Sequence, residues 1–183
     1  YGHLPMILGP DRSKLSKRHG STSVDEYRSK GFLPEALVNF LSILGWSHPG
    51  EKEVMTKAEL IESIGLDRIG KAGAIFDVTK CQWMNKEYLK ALPLLELQTL
   101  ARPFMNESLL QNLNAEHCNK LFALLTEGAH LLTDFGPLAA KILLAPAGRP
   151  ESFPASAEHM ALILSKAIEL LEISGQDLDH DAL

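Results

Sequence analysis

Apolar residues recur along this chain at helical spacing. In "LPEALVNFLSILG" (33–45), Leu37, Leu41 and Leu44 fall three or four apart with Phe40 beside them, the stripe of an amphipathic helix. Pro34 suits its first turn and Gly45 the position past its end. "NAEHCNKLFALLTEGA" (114–129) predicts a second strong helix, capped by Asn114, with Leu121, Leu124 and Leu125 facing a core. Two shorter stretches share one start signal. Ser23 with Glu26 opens "SVDEYRSKG", and Thr56 with Glu59 opens "TKAELIESIG". Each is a hydroxyl cap with an acid three residues on, and each ends at a glycine, Gly31 or Gly65.

Asp77 caps a further helix in "DVTKCQWMNKEYLKAL" (77–92), where Trp83 reads as core and Asn85 as a local hydrogen bonder. Pro93 and Pro103 punctuate the next stretch, and "GPLAAKILLAP" (136–146) is a short apolar helix. Small residues and scattered prolines in "APAGRPESFPAS" (145–156) make a linker. "SAEHMALILSKAIELLEISG" (156–175) is the longest periodic helix, and the acidic tail "QDLDHDAL" is expected to fray. Only "HLPMIL" (3–8) reads as strand. The fold class expected is mainly α, with no internal repeat.

Composition narrows the class. At 183 residues and 45% hydrophobic, the chain can build a real core. The net charge of −5 argues against a general nucleic-acid coat but permits a local basic site. That charge is uneven: residues 1–90 carry 13 Lys and Arg against 11 Asp and Glu, residues 91–183 only 5 against 12. Such asymmetry suggests two regions with different work. Cys81 and Cys118 are far apart and lack second ligands at metal spacing, so a reduced cytosolic protein without bound zinc is expected. No apolar run approaches the roughly 18–20 residues of a membrane span. The opening "YGHLPMILG", without Met, reads as the interior of a longer protein.

Against this background "GPDRSKLSKRHG" (9–20) stands out, with Arg12, Lys14, Lys17 and Arg18 in seven positions. Glycine-flanked cations on a loop can close over a polyphosphate and neutralise charge that builds on a leaving group. The alternative is a solvated charged turn. The G-x-x-x-x-G-K-[ST] string of a P-loop is absent.

"KLSKR" (14–18) resembles the signature loop of class I aminoacyl-tRNA synthetases. The uninterrupted run "ILGPDRSKLSKRHGSTSVDEYRSKGFLPEALVNFLSILGWS" (7–47), with "AIFDVTKCQWMNKEYL" (74–89), is similar to bacterial and organellar glutamyl-tRNA synthetases. The likeness is strong over residues 4–92 and looser beyond.

The resemblance implies a ligase that activates glutamate with ATP, accompanied by Mg2+, and passes it to tRNA without a covalent enzyme intermediate. It implies that Lys17 contacts the ATP phosphates, that Lys14 and Ser16 support the loop, and that Arg18 holds it or meets phosphate. Residues 1–92 would be the loop and a stem-contact domain, with Lys71, Lys80, Lys86 and Lys90 as backbone contacts to tRNA. Residues 93–183 would be a helical anticodon-binding domain, a second anticodon module being largely missing. Members that charge only tRNA(Glu) carry an arginine that reads the third anticodon base, where tRNA(Glu) and tRNA(Gln) differ; Gly128 stands there. Hence the expectation of a non-discriminating enzyme that also serves tRNA(Gln), against the reading of Gly128 as a plain helix end.

The family's second ATP motif, of His-x-Gly-His type, is absent, as are glutamate-binding residues. The chain is therefore expected to be a C-terminal fragment lacking the Rossmann core, inactive alone, with a loose loop. A monomer in the cytoplasm or an organellar matrix is implied. The competing reading is a stand-alone tRNA- or protein-binding module without catalysis, which would have no need of the lysine loop.

Overall fold

The computed structural model describes residues 5–16, 18, 23–111 and 113–144. The chain divides into two units, Tyr1–Ala145 and Pro146–Leu183. The linker at 145–156, the helix at 156–175, the acidic tail and Lys17 lie outside the described residues.

The architecture is mainly α, as the spacing predicts. A two-residue strand β1 (Ile7–Leu8) leads to α1 (Val24–Ser29), α2 (Pro34–Leu44) and α3 (Lys57–Ser63). Strand β2 (Ala74–Ile75) then feeds α4 (Val78–Ala91), followed by α5 (Leu94–Ala101), α6 (Ala115–Gly128) and α7 (Phe135–Leu143). β1 and β2 pair in parallel, Ile7 opposite Ala74 and Leu8 opposite Ile75.

Local chemistry sets most helix ends. Ser23 and Glu26 form the reciprocal box at α1, and Thr56 and Glu59 do so at α3. Asp77 accepts from the Thr79 and Lys80 amides, and Asn114 from His117. Past α1, Gly31 takes φ +85, and a Cβ there would stand 2.7 Å from the Thr133 nitrogen. That close approach lets the Gly31 carbonyl accept from Leu132 N at 3.0 Å, while Thr133 Oγ1 donates to the Lys30 carbonyl at 2.9 Å. Only glycine meets both demands.

α2 begins differently. Leu33 has no side-chain cap of its own, and Asn85 on α4 supplies the acceptor instead. Two helix faces also depart from expectation. The buried positions of α2 are Ala36, Leu37, Asn39 and Phe40, whereas Leu41 is exposed. On α6, Leu121 and Leu125 are buried but Leu124 is exposed. Both apolar stripes are broader than the face a neighbour covers.

The core has three parts. Leu33, Ala36 and Leu89 join Leu97, Phe122, Leu125 and Phe135 of the later helices. Tyr27, Phe32, Phe40 and Phe76 meet edge-on or tilted, with ring centroids 5.0–5.9 Å apart, over Cys81 and Met84. Trp46, Met55 and Leu60 form the third. Each buried aromatic contributes about 2–3 kcal/mol. Between these clusters Asn39, fully buried, accepts from Met55 N at 2.7 Å and donates to the Glu53 carbonyl at 3.0 Å. The Tyr88 hydroxyl lies within reach of both Asn39 Oδ1 and the Met55 carbonyl.

Candidate phosphate loop and tRNA-facing residues

β1 runs directly into the basic loop. Gly9 N donates to the Ser13 carbonyl at 2.8 Å, and Arg12 N to the Gly9 carbonyl at 2.9 Å. Leu15 N returns to the Ile7 carbonyl at 3.0 Å, and an antiparallel bridge joins Leu8 to Lys14. Arg12 holds the turn with φ +61, the left-handed region that costs a non-glycine residue about 1 kcal/mol or more. Asp11 closes it by accepting from Ser13 N at 2.9 Å and Ser13 Oγ at 2.8 Å. Arg18 folds back, donating to Ser13 Oγ at 2.9 Å with its guanidinium 3.7 Å from the Asp11 carboxylate.

Over residues 9–16 the loop is therefore a bonded hairpin turn, not the loose segment expected. The reason is local: an Asp two residues before a Ser can accept from its backbone and hydroxyl together. Its base is fixed as well. Leu15 packs on the aromatic cluster, and Phe76 N donates to the Leu8 carbonyl at 2.8 Å. Arg12, Lys14 and Arg18 remain exposed, and Ser16 is half-buried. An exposed Arg–Asp pair holds with at most about 1 kcal/mol, so an anion of higher charge can take Arg18 from Asp11.

The four lysines have different surroundings. Lys71 is exposed on the turn before β2, with no ion pair or hydrogen bond among the described residues. Lys80 pairs with Glu53. Lys86 donates to the Glu127 carbonyl at 2.6 Å, and Lys90 meets the Glu127 carboxylate at 3.2 Å. Both thus face the C-terminus of α6, where backbone carbonyls attract cations. Gly128 is the last residue of that helix, so the fold brings Lys86, Lys90 and Gly128 to one corner. Lys80 lies ten residues before Lys90 on α4, about 15 Å along the axis.

Trp83 and Asn85 correct the sequence reading in opposite ways. Trp83 is 41% exposed rather than core, because α4 turns the face of Cys81, Met84 and Asn85 inward. Asn85 is fully buried, and its partners are distant: it accepts from Leu33 N at 2.7 Å and donates to the His130 carbonyl at 2.6 Å.

One cleft escaped the sequence reading altogether. Trp46, Ser47, His48 and Arg68 line a polar hollow of about 430 Å3 with Lys52 and Lys80. A lone arginine in "GLDRIG" gives no periodic or motif signal.

Residues 1–83 match the family model described as tRNA synthetases class I (E and Q), catalytic domain. Over 179 residues, 98% of this chain and 37% of the relative, the sequence is 44% identical to a glutamate–tRNA ligase of Fervidobacterium nodosum. It is 56% identical over 106 residues, 58% of this chain and 21% of the relative, to a glutamate–tRNA ligase of Desulforudis audaxviator. Among solved structures it is similar to a glutamate tRNA ligase from Elizabethkingia meningosepticum in complex with its amino acid, at 28% identity and TM-score 0.64 over 97% of this chain and 38% of that one. The chain spans a little over a third of the length of the F. nodosum relative.

Proposed function

The chain belongs to the bacterial-type glutamyl-tRNA synthetase family, and on that footing we propose that it works within a glutamate–tRNA ligase as the part carrying the ATP-phosphate loop and tRNA-binding helices. The observation that carries this reading is the loop itself. A turn with three exposed cations is bonded at its neck, seated by Leu15 and tied through β1 to β2 and α4. Such a mount holds positive charge in place before an anion arrives, which favours stabilisation of developing charge.

In the proposed reaction the glutamate carboxylate attacks the α-phosphorus of ATP. A glutamyl-adenylate forms and pyrophosphate leaves; the acyl group then passes to a terminal ribose hydroxyl of tRNA, releasing AMP. Lys17 contacts the phosphates, Lys14 and Ser16 support the loop, and Arg18 exchanges Asp11 for phosphate. The Mg2+ that accompanies ATP enters as part of the nucleotide substrate, and no residue of this chain is assigned to it. Residues 1–92 comprise the loop and stem-contact part, and residues 93–183 the anticodon-binding part. The tRNA backbone is met by Lys71, Lys80, Lys86 and Lys90, with Lys86 and Lys90 leaving Glu127 to do so. The enzyme acts as a monomer in the cytoplasm.

The test is ATP–pyrophosphate exchange. In the full-length enzyme, Lys17→Ala is expected to lower kcat roughly a hundredfold, the loss typical of one transition-state donor. Retention of activity within threefold would overturn the assignment. The 183-residue chain alone is expected to give no exchange.

Gly128 supports the wider tRNA range. Its φ lies outside the left-handed region, and a Cβ there would meet Leu138 Cδ1 at 3.5 Å, ordinary contact. Glycine is thus not demanded by the helix end, so the absent side chain bears on what passes this corner. The full-length enzyme is expected to put glutamate on tRNA(Gln) as well as tRNA(Glu). Gly128→Arg should reduce the former roughly tenfold or more, the discrimination given by one bidentate base contact. Purified tRNA(Gln) that accepts no glutamate would refute this.

A further inference from the structure

We propose that the apolar groove between α1 and α2 on one side and the end of α5 on the other binds a small apolar carboxylate, with Arg28 meeting the carboxylate group. Neither ATP nor tRNA takes part in it.

The groove has a buried floor and an open rim. Tyr27, Phe32, Leu33, Leu37 and Leu132 form the floor, each less than a tenth exposed. Val24, 71% exposed, and Leu100 border it, with half-buried Phe104. The hollow measures about 630 Å3, inside the roughly 300–1,000 Å3 of small-molecule sites.

Backbone seams keep it from collapsing. The Gly31 carbonyl accepts from Leu132 N at 3.0 Å, and Thr133 Oγ1 donates to the Lys30 carbonyl at 2.9 Å. Asn85 holds Leu33 N at 2.7 Å and the His130 carbonyl at 2.6 Å, on either side of the same joint. At the third wall Gly136 has no room for a Cβ, which would stand 2.6 Å from the Phe104 carbonyl. The turn Arg102–Phe104 is thereby seated against the start of α7. A site held open in this way spends little binding energy on ordering its walls.

Charge selects the occupant. Arg28 is the one charged residue in the lining, and its guanidinium makes no hydrogen bond or ion pair among the described residues. A ligand with an apolar body and a single anionic group matches both features. The body displaces water from the floor, and the carboxylate pairs with the guanidinium at the rim. A polyphosphate or an RNA backbone would press several charges against apolar walls that offer them no partners. An extended peptide finds no strand edge, because the lining lies on helices and the segments that join them.

The probe is decanoate, with decanol as its uncharged counterpart. The 183-residue chain is labelled with 13C in its valine and leucine methyl groups, and Val24→Ala assigns the Val24 signals. Calorimetry measures affinity, and sedimentation gives the oligomeric state. We expect decanoate to move the Val24 signals and to saturate. Arg28→Gln should weaken decanoate roughly three- to fivefold, the worth of one exposed ion pair, and leave decanol unchanged. Val24→Glu, which sets a like charge at the rim, should weaken decanoate at least as much. Both substitutions fall on exposed side chains, so the fold is expected to be kept.

Val24 signals that stay fixed at millimolar decanoate would overturn the site. Equal losses of decanoate and decanol in Arg28→Gln would overturn the choice of an anion. Decanoate binding that Val24→Glu leaves untouched would place the ligand elsewhere and overturn the assignment. A chain that sediments as a dimer and binds no decanoate would overturn it in favour of a second copy in the groove.

Discussion

Replacing Asn85 with alanine tests the joint between the early and late helices. The side chain is fully buried and spans 52 residues of sequence in one direction and 45 in the other. Its loss strands Leu33 N, which sits on a residue only 3% exposed and has no cap of its own. An orphaned buried amide costs about 1–3 kcal/mol. The His130 carbonyl belongs to an exposed residue and can turn to water, so its cost is smaller. Removing the carboxamide leaves roughly 30 Å3 unfilled, worth about 0.7 kcal/mol at ~24 cal/mol per Å3. The expected loss is about 3 kcal/mol, or a fall in Tm of roughly 6–12 °C for a chain of this size. Urea unfolding followed by tryptophan fluorescence would measure it, with the m-value held constant as the check that only stability changed. A loss below about 1 kcal/mol with unchanged m would refute the clamp. Asn85→Asp sharpens the test. It keeps the acceptor for Leu33 but sets an oxygen against the His130 carbonyl, so its carboxyl pKa should rise on folding. Its destabilisation should therefore be absent at low pH and grow as pH rises above the unfolded carboxyl range.

Glu59 offers a pH test of opposite sign. The Lys52 ammonium, then the Thr56 amide and hydroxyl, hold its carboxyl down to about 2 from an ordinary 4.5. Its contribution to the α3 cap should be complete above pH 4.5 and fade as pH falls towards 2; an NMR titration of the Glu59 carboxyl with a midpoint near 4.5 would count against the capping network. Burial pushes the Cys81 thiol up to about 12, so native protein at roughly pH 8 should resist iodoacetamide at that position and label only on unfolding. Rapid modification of Cys81 in the folded state would show that the aromatic cluster does not seal it. Exchanging Lys86 for Met should remove its bond to the Glu127 carbonyl and cost about 0.5–1 kcal/mol in urea unfolding, with no measurable change arguing that the α6 terminus needs no cation.

Much of the fold was legible because its signals are local. The caps at Ser23, Thr56, Asp77 and Asn114 all act through hydrogen bonds two or three residues long. The breaks at Pro34 and Gly31 rest on one residue's own backbone preference. The basic loop was legible too, since charge density in a polar, glycine-flanked stretch needs no tertiary partner to be seen. What spacing could not provide was the width of the buried face. Leu41 and Leu124 are as apolar as their neighbours, and only the position of the adjoining helix leaves them in water.

Local sequence is enough to set where the helices start and stop, which loop gathers positive charge, and the family to which those motifs belong. Packing was needed to make Asn85 a long-range clamp, to turn Trp83 outward, and to bring Lys86 and Lys90 to Gly128 at one corner. It also brought Arg68 to Ser47, across 21 residues, beside a buried indole without an acceptor. The division follows from range. A cap or turn is fixed by groups a few bonds apart on one chain, whereas a partner dozens of residues away exists only once packing has chosen which surfaces meet.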